Sequence, residues 1–167
     1  FYAESGGQVG DTGSFRTEDA VLRVTDTKKL PSGHTLHTAK VESGYIAVGA
    51  QGKAEVDVER RHSIMRNHTA AHLLHAALRK VLGDHVHQAG QLVNEQRCRF
   101  DFSHFSAMTA EELREVERLV NEAILADIPV SCTEHSISEA REMGAMALFG
   151  EKYGDIVRVV DIPGTSM

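Results

Sequence analysis

The chain has 167 residues, 18 of them basic and 24 acidic, for a formal net charge of −6. That length allows one domain with a sizeable core or two small ones. The acidic balance excludes a protein held to nucleic acid mainly by bulk charge, but leaves room for RNA met through a local basic patch.

No apolar run approaches the length of a membrane span, and no signal peptide opens the chain. Two cysteines, Cys98 and Cys132, give no disulfide framework. A reducing cytoplasmic setting without membrane contact is therefore expected. The sequence starts without methionine inside an ordered-looking segment and stops abruptly at Met167, so it reads as a piece of a longer polypeptide.

Residues 1–58 read as β structure. Val21, Leu22 and Val24 lie in one β-rich run, Leu30-Pro31-Ser32-Gly33 supplies turn chemistry, and a second run spans His34 to Val41. Ser43-Gly44 and Gln51-Gly52 punctuate two further strands, the last being Ala54 to Val58. Short strands with regular turn signals predict a small barrel or sandwich. Glycines 6, 7, 10 and 13 are not followed by Gly-Lys-Ser/Thr, so they predict irregular strand and turn backbone rather than a phosphate loop.

Composition changes at Arg60-Arg61. Ile64, Ala71, Leu74, Leu78 and Val81 recur at helical spacing, predicting a helix from Ser63 to about Leu82 that Gly83 stops. Within it, His68 and His72 stand four residues apart and share one helix face, so both can reach a single metal ion. Zinc takes imidazole nitrogen and prefers four ligands, or three and a water. The zinc-protease pattern H-E-x-x-H does not apply, because Thr69 occupies the place of its general base. Taken alone, the spacing more readily describes two chance surface histidines on a helix than a metal site. His75 lies about 10 Å from His68 along the axis and reads as a packing or supporting histidine.

Strands are predicted at His87–Val93 and Arg97–Phe102, joined by Asn94-Glu95-Gln96. A second helix begins at Thr109 with Glu112 completing a capping box, and its expected buried face is Leu113, Val116, Val120 and Ile124. Pro129 ends this segment and a strand runs to about Cys132. A short helix from Ser138 to about Met143, a Gly-Ala-Met-Ala-Leu-Phe segment and a strand at Ile156–Val160 complete an α+β arrangement. Cys132 and His135 have metal-like spacing, but Val130 and Cys132 alternate as on an ordinary strand, where a lone cysteine is usual.

Five segments together resemble the editing region of alanyl-tRNA synthetases: Phe-Tyr-Ala-Glu-Ser-Gly-Gly-Gln-Val-Gly-Asp at 1–11, Arg-Asn-His-Thr-Ala-Ala-His-Leu-Leu-His-Ala-Ala-Leu-Arg at 66–79, His-Val-His-Gln-Ala-Gly at 85–90, Arg-Phe-Asp-Phe-Ser-His at 99–104, and Gly-Ala-Met-Ala-Leu-Phe-Gly-Glu-Lys-Tyr-Gly-Asp at 144–155. They occur in the family's order over the whole chain. The resemblance implies a translation-factor-like β-barrel over residues 1–58. It implies an α+β editing core over 59–167, shared with free-standing alanyl-tRNA editing proteins and with threonyl-tRNA synthetase editing domains.

It also implies zinc held by His68 and His72, with a cysteine and a histidine from a Cys-Gly-Gly-Thr-His motif expected beyond Met167. Cys132 and His135 do not occupy that motif's place. With only half of the inferred zinc site, a polypeptide ending at Met167 is expected to be weakly active or inactive.

The implied activity is hydrolysis of the ester in Ser-tRNA(Ala) or Gly-tRNA(Ala), with the acceptor end of tRNA(Ala) and the rest of the synthetase as partners. Zinc would either deliver hydroxide or orient the substrate, and both roles stay open. Gln88 matches a glutamine of the family's editing site and is expected at the aminoacyl pocket, where an amide can both donate and accept. A buried polar group meant for the serine hydroxyl would reject alanine. Arg60, Arg61 and Arg66 cluster where they could meet tRNA phosphates, or could simply be surface arginines. Glu4 and Asp101 receive no assignment. A different class of function, a non-catalytic tRNA-docking or structural module with at most a structural metal, is the alternative. A generic zinc hydrolase is disfavoured by the missing glutamate.

Overall fold

The computed structural model describes residues 1–145 and 154–166. Most of the Gly-Ala-Met-Ala-Leu-Phe segment and of the 144–155 motif lies outside the described residues. The chain forms two compact units, Phe1–His68 with Gln91–Arg99, and Thr69–Gly90 with Phe100–Met167.

In the first unit, β1 (Gly13–Arg16), β2 (Ala20–Lys29), β3 (Thr35–Gly44) and β4 (Lys53–Val56) make one antiparallel sheet in the order β3-β2-β1-β4. Strand β2 shows why: Ala20, Leu22 and Val24 are buried while Arg23 and Thr25 are exposed, the alternation of a half-buried strand. A register shift between Val24 and Asp26 then lets Thr27 turn inward, where its hydroxyl donates to the Asp11 carbonyl at 2.9 Å. The Leu30–Gly33 turn forms as expected, with Leu30 N donating to His34 O at 2.8 Å.

The barrel does not close. Strand β4 has only four residues and pairs with β1, while β3 is exposed along its whole length and pairs with β2. The sheet is therefore open, with β3 and β4 as its edges.

Glycine settles the backbone before β1. Gly6 and Gly7 take positive φ of 56° and 81° in the Ser5–Gln8 turn, a conformation that costs other residues steric strain. This is the irregular turn the sequence predicts.

Helix α1 spans Val58–Leu82, starting at Val58 rather than Ser63. The cause is Asp57, whose Oδ1 accepts from Arg60 N at 3.1 Å and so satisfies one of the orphan amides of the first turn. The expected last strand thus ends at Val56, and Arg60 and Arg61 belong to the helix. Gly83, at φ 113°, stops it.

In the second unit, Ala77 and Leu78 of α1 bury against Val86 and Val116, with Leu74, Val81, Phe100, Phe102, Leu119 and Val120 packed around them. Strands β5 (Gln88–Val93) and β6 (Cys98–Phe102) form a two-stranded sheet with residues in both units. Helix α2 (Ala110–Leu125) has the expected capping box between Thr109 and Glu112. Its buried stripe is turned from the expected one. Leu113 and Ile124 are 54% and 51% exposed, whereas Val116 is buried and Leu119, Val120 and Ala123 are half-buried. The core lies on the Val116–Leu119 side, so the apolar residues at either margin stay wet.

Strand β7 (Ser131–Ser136) pairs antiparallel with β8 (Ile156–Asp161), and the short α3 (Ile137–Glu142) follows β7 with Ser136 as its cap. Among the described residues no helix is long and apolar enough to cross a membrane.

Candidate functional site

The histidine pair keeps its helical spacing. His68 and His72 lie on α1, both half-buried, about 6 Å apart along the axis and on one face. Among the described residues no three histidine, cysteine, aspartate or glutamate side chains gather as a metal site. The pair therefore fits two of the four positions zinc prefers, and no chemical step can be derived through a metal from these residues.

His75, one turn further on, is buried, and its Nε2 has no hydrogen-bond partner among the described residues. Its ring packs on Phe100 with centroids 5.1 Å apart. Burial pushes the imidazole below the ordinary histidine range, helped by the charges of Arg79 and His87, while a bond to the Val86 backbone works against it. His75 is thus a neutral core ring that keeps an unused acceptor.

Gln88 opens β5 and is half-buried. A Cβ placed on Gly90 would lie 3.1 Å from Oδ2 of Asp101 on β6. The missing side chain at Gly90 thus makes room for the Asp101 carboxylate against β5. Residues two apart on a strand share a face, so Gln88 lies on the face over which that carboxylate sits. An amide that donates and accepts stands on the same strand face as a carboxylate acceptor, a pairing suited to holding a hydroxyl or an ammonium group. Asp101 carries no assignment from sequence alone. A glycine inside a strand pattern marks close approach by another group, and that was the available signal.

The structure does not bring Cys132 and His135 together. Three residues apart on β7, they point to opposite faces. Cys132 Sγ accepts from Arg158 Nε at 2.6 Å, and His135 Nε2 bonds with Thr133 Oγ1 at 2.8 Å.

The three arginines divide. Arg60 Nη1 donates to Gly10 O at 2.9 Å and its Nη2 lies 3.2 Å from Glu95. Arg61 Nε donates to Asp11 Oδ1 at 2.8 Å, and its Nη2 meets Asp11 Oδ2. Asp11 is 1% exposed and also accepts from Tyr2 N at 2.5 Å. A buried carboxylate needs such partners, so Arg61 has a structural task. Arg66 is exposed, bonded locally to Ser63 Oγ at 2.9 Å, and has its charge available to solvent. Glu4 is exposed and 3.9 Å from Lys28 Nζ.

Comparison with known proteins adds a chain-wide likeness. The family described as tRNA synthetases class II (A) matches residues 1–60. Alanine--tRNA ligase of Bacillus subtilis (strain 168) is 58% identical over 167 residues, all of this chain and 19% of that protein. The Acetivibrio thermocellus enzyme of the same name is 59% identical over 162 residues, 97% of the chain and 18% of that protein. The one from Staphylococcus aureus is 56% identical over 162 residues, again 97% of the chain and 18% of that protein. Homology to alanine--tRNA ligases thus covers the whole chain, which spans about a fifth of the length of these relatives.

Proposed function

We propose that the chain is the editing region of an alanine--tRNA ligase and hydrolyses the ester of Ser-tRNA(Ala) or Gly-tRNA(Ala). The observation that carries this reading is the half-buried histidine pair on α1, His68 and His72, within a sequence homologous over its full length to such ligases.

In the reaction, water adds to the ester carbonyl, the bond from that carbon to the ribose oxygen breaks, and the ribose hydroxyl leaves carrying a proton. His68 and His72 would hold zinc through two imidazole nitrogens, with two further donors from outside the described residues, and a metal held there would supply positive charge beside the ester. Gln88 and Asp101 hold the amino acid: the amide receives or gives a hydrogen bond to the serine hydroxyl, and the carboxylate accepts from the ammonium group. Arg66 offers charge to a tRNA phosphate.

The test is deacylation of Ser-tRNA(Ala) by the full-length protein, with His68→Ala and His72→Ala measured beside it. Hydrolysis lost in both variants while tRNA binding persists supports the reading. Hydrolysis unchanged in both overturns it. Binding of tRNA without hydrolysis by the parent protein assigns the docking role instead.

A further inference from the structure

A run of flat rings crosses the second unit and ends in the open. It starts at buried His75, which packs on Phe100 at 5.1 Å. Phe100, Phe102 and His104 alternate along and just past β6, so they share one face, and their centroids follow at 6.4 Å and 6.4 Å. His104 lies edge to edge with His85, centroids 5.1 Å and planes 19° apart, and His85 stacks on Phe105 at 4.5 Å and 28°. These are ordinary aromatic separations. Phe105, the last ring, is 87% exposed.

An isolated exposed phenylalanine would need no explanation, but this one rests against an imidazole that is itself fixed. Ser103, two residues earlier, donates its amide to His87 O at 3.1 Å and its hydroxyl to His85 O at 3.2 Å. His85 Nε2 and His104 Nδ1 are hydrogen-bonded at 2.9 Å, which fixes the His85 imidazole on which the phenyl ring stacks, while His104 stands 6.1 Å from that ring and tilted by 43°. The ring is therefore placed in advance, stacked on one side and open to solvent.

We propose that Phe105 is a stacking platform for an unpaired nucleobase of RNA. This rests on the tRNA reading above and adds a contact to it. Unpaired bases are taken up on aromatic and imidazole planes whatever their sequence. A base laid on Phe105 continues the run of rings by one more member. Because the chain carries a net charge of −6, attraction of RNA by bulk charge is weak, and a stacking contact gives the strand a hold that does not depend on it.

These 167 residues contain no tryptophan, so Phe105→Trp in the full-length protein adds an indole at an exposed position, read as the difference in fluorescence from the parent. The probes are a single-stranded RNA trinucleotide and the same backbone with abasic residues. Leu125→Trp, 84% exposed on α2, is the control. The expected result is quenching of the Phe105→Trp indole by the RNA, little by the abasic strand, and none in Leu125→Trp. Phe105→Ala should weaken RNA binding about tenfold, and Phe105→Trp should restore it. Equal response of both reporters, or no quenching in Phe105→Trp, overturns the proposal.

The two readings fail separately. Hydrolysis of Ser-tRNA(Ala) without quenching removes the platform and leaves the deacylase. Quenching without hydrolysis does the reverse.

Discussion

Arg61 lays its guanidinium fork against the carboxylate of Asp11, a residue 50 positions earlier in the chain. The pair ties the first turn of α1 to the irregular segment before β1. Asp11 is almost fully enclosed, while the Arg61 side chain is 33% exposed, so the penalty for separating them falls mainly on the aspartate. Arg61→Ala leaves a buried, unpaired carboxylate and should cost about 3 kcal/mol, the low end for a broken buried pair. Urea unfolding measures it. The Asp11→Ala, Arg61→Ala double variant should lose less than the two single losses combined.

The pH dependence of that pair has a definite sign. Burial pushes the Asp11 carboxyl up, but the hydrogen bonds from Arg61 and Tyr2 and the nearby positive charge together hold it below the usual carboxylate range. Its contribution is therefore complete above the unfolded value of about 3.9 and is lost as pH falls through the lower folded value. The stability gap between the parent chain and Asp11→Asn should narrow on acidification from about pH 4 downward. A gap independent of pH down to the acid limit would refute the assignment.

His75 predicts a second slope, in a higher window. Burial holds its imidazole neutral in the folded chain, whereas the unfolded chain takes up a proton below about pH 6.5. The unfolded state then binds more protons, so stability should fall as pH drops from about 6.5 toward the folded value. The slope is at most about 1.4 kcal/mol per pH unit. His75→Leu should remove that part of the slope, because leucine binds no proton in either state. Denaturation curves at several pH values decide it.

Local signals carried well where local chemistry decides the outcome. The Thr109–Glu112 box set the start of α2, and the Leu30–Gly33 turn and the strands around Asn94 lie where turn chemistry puts them. Barrel closure was not readable, because it depends on which edges pair, and alternation within one strand is silent on that. Asp57 was hidden for a related reason: alternation continues smoothly through Val58 and masks a helix cap. The buried stripe of α2 turned away from Leu113 because two apolar margins compete and only the packed neighbours choose between them. At the candidate site, four-residue spacing sufficed to put His68 and His72 on one face. Asp101 needed the neighbouring strand, since only Gly90 across the hairpin reveals where its carboxylate rests.

Gly90 supplies a test of that carboxylate's position. An alanine methyl would stand 3.1 Å from Asp101 Oδ2, tighter than an easy contact, so the carboxylate must shift by a few tenths of an ångström. Gly90 is not among the glycines with positive φ, so the backbone itself accepts alanine. Gly90→Ala should leave the unfolding midpoint nearly unchanged and lower deacylation of Ser-tRNA(Ala) about tenfold, the scale expected when a positioning group is displaced. Full activity in that variant would place Asp101 in the scaffold alone.

Removal of metal separates the two histidines from their neighbour. If His68 and His72 hold zinc, each alanine variant of the full-length protein should lose bound zinc and Ser-tRNA(Ala) hydrolysis together. Dialysis against a chelator should reproduce the loss, and added zinc should reverse it in the parent but not in the variants. His75→Leu should retain both metal and activity, because its ring is buried against Phe100. The discriminating measurement is zinc per protein in the same samples whose hydrolysis is assayed. Full hydrolysis in samples stripped of metal would leave the imidazoles as direct contacts to the aminoacyl ester and remove zinc from the reaction.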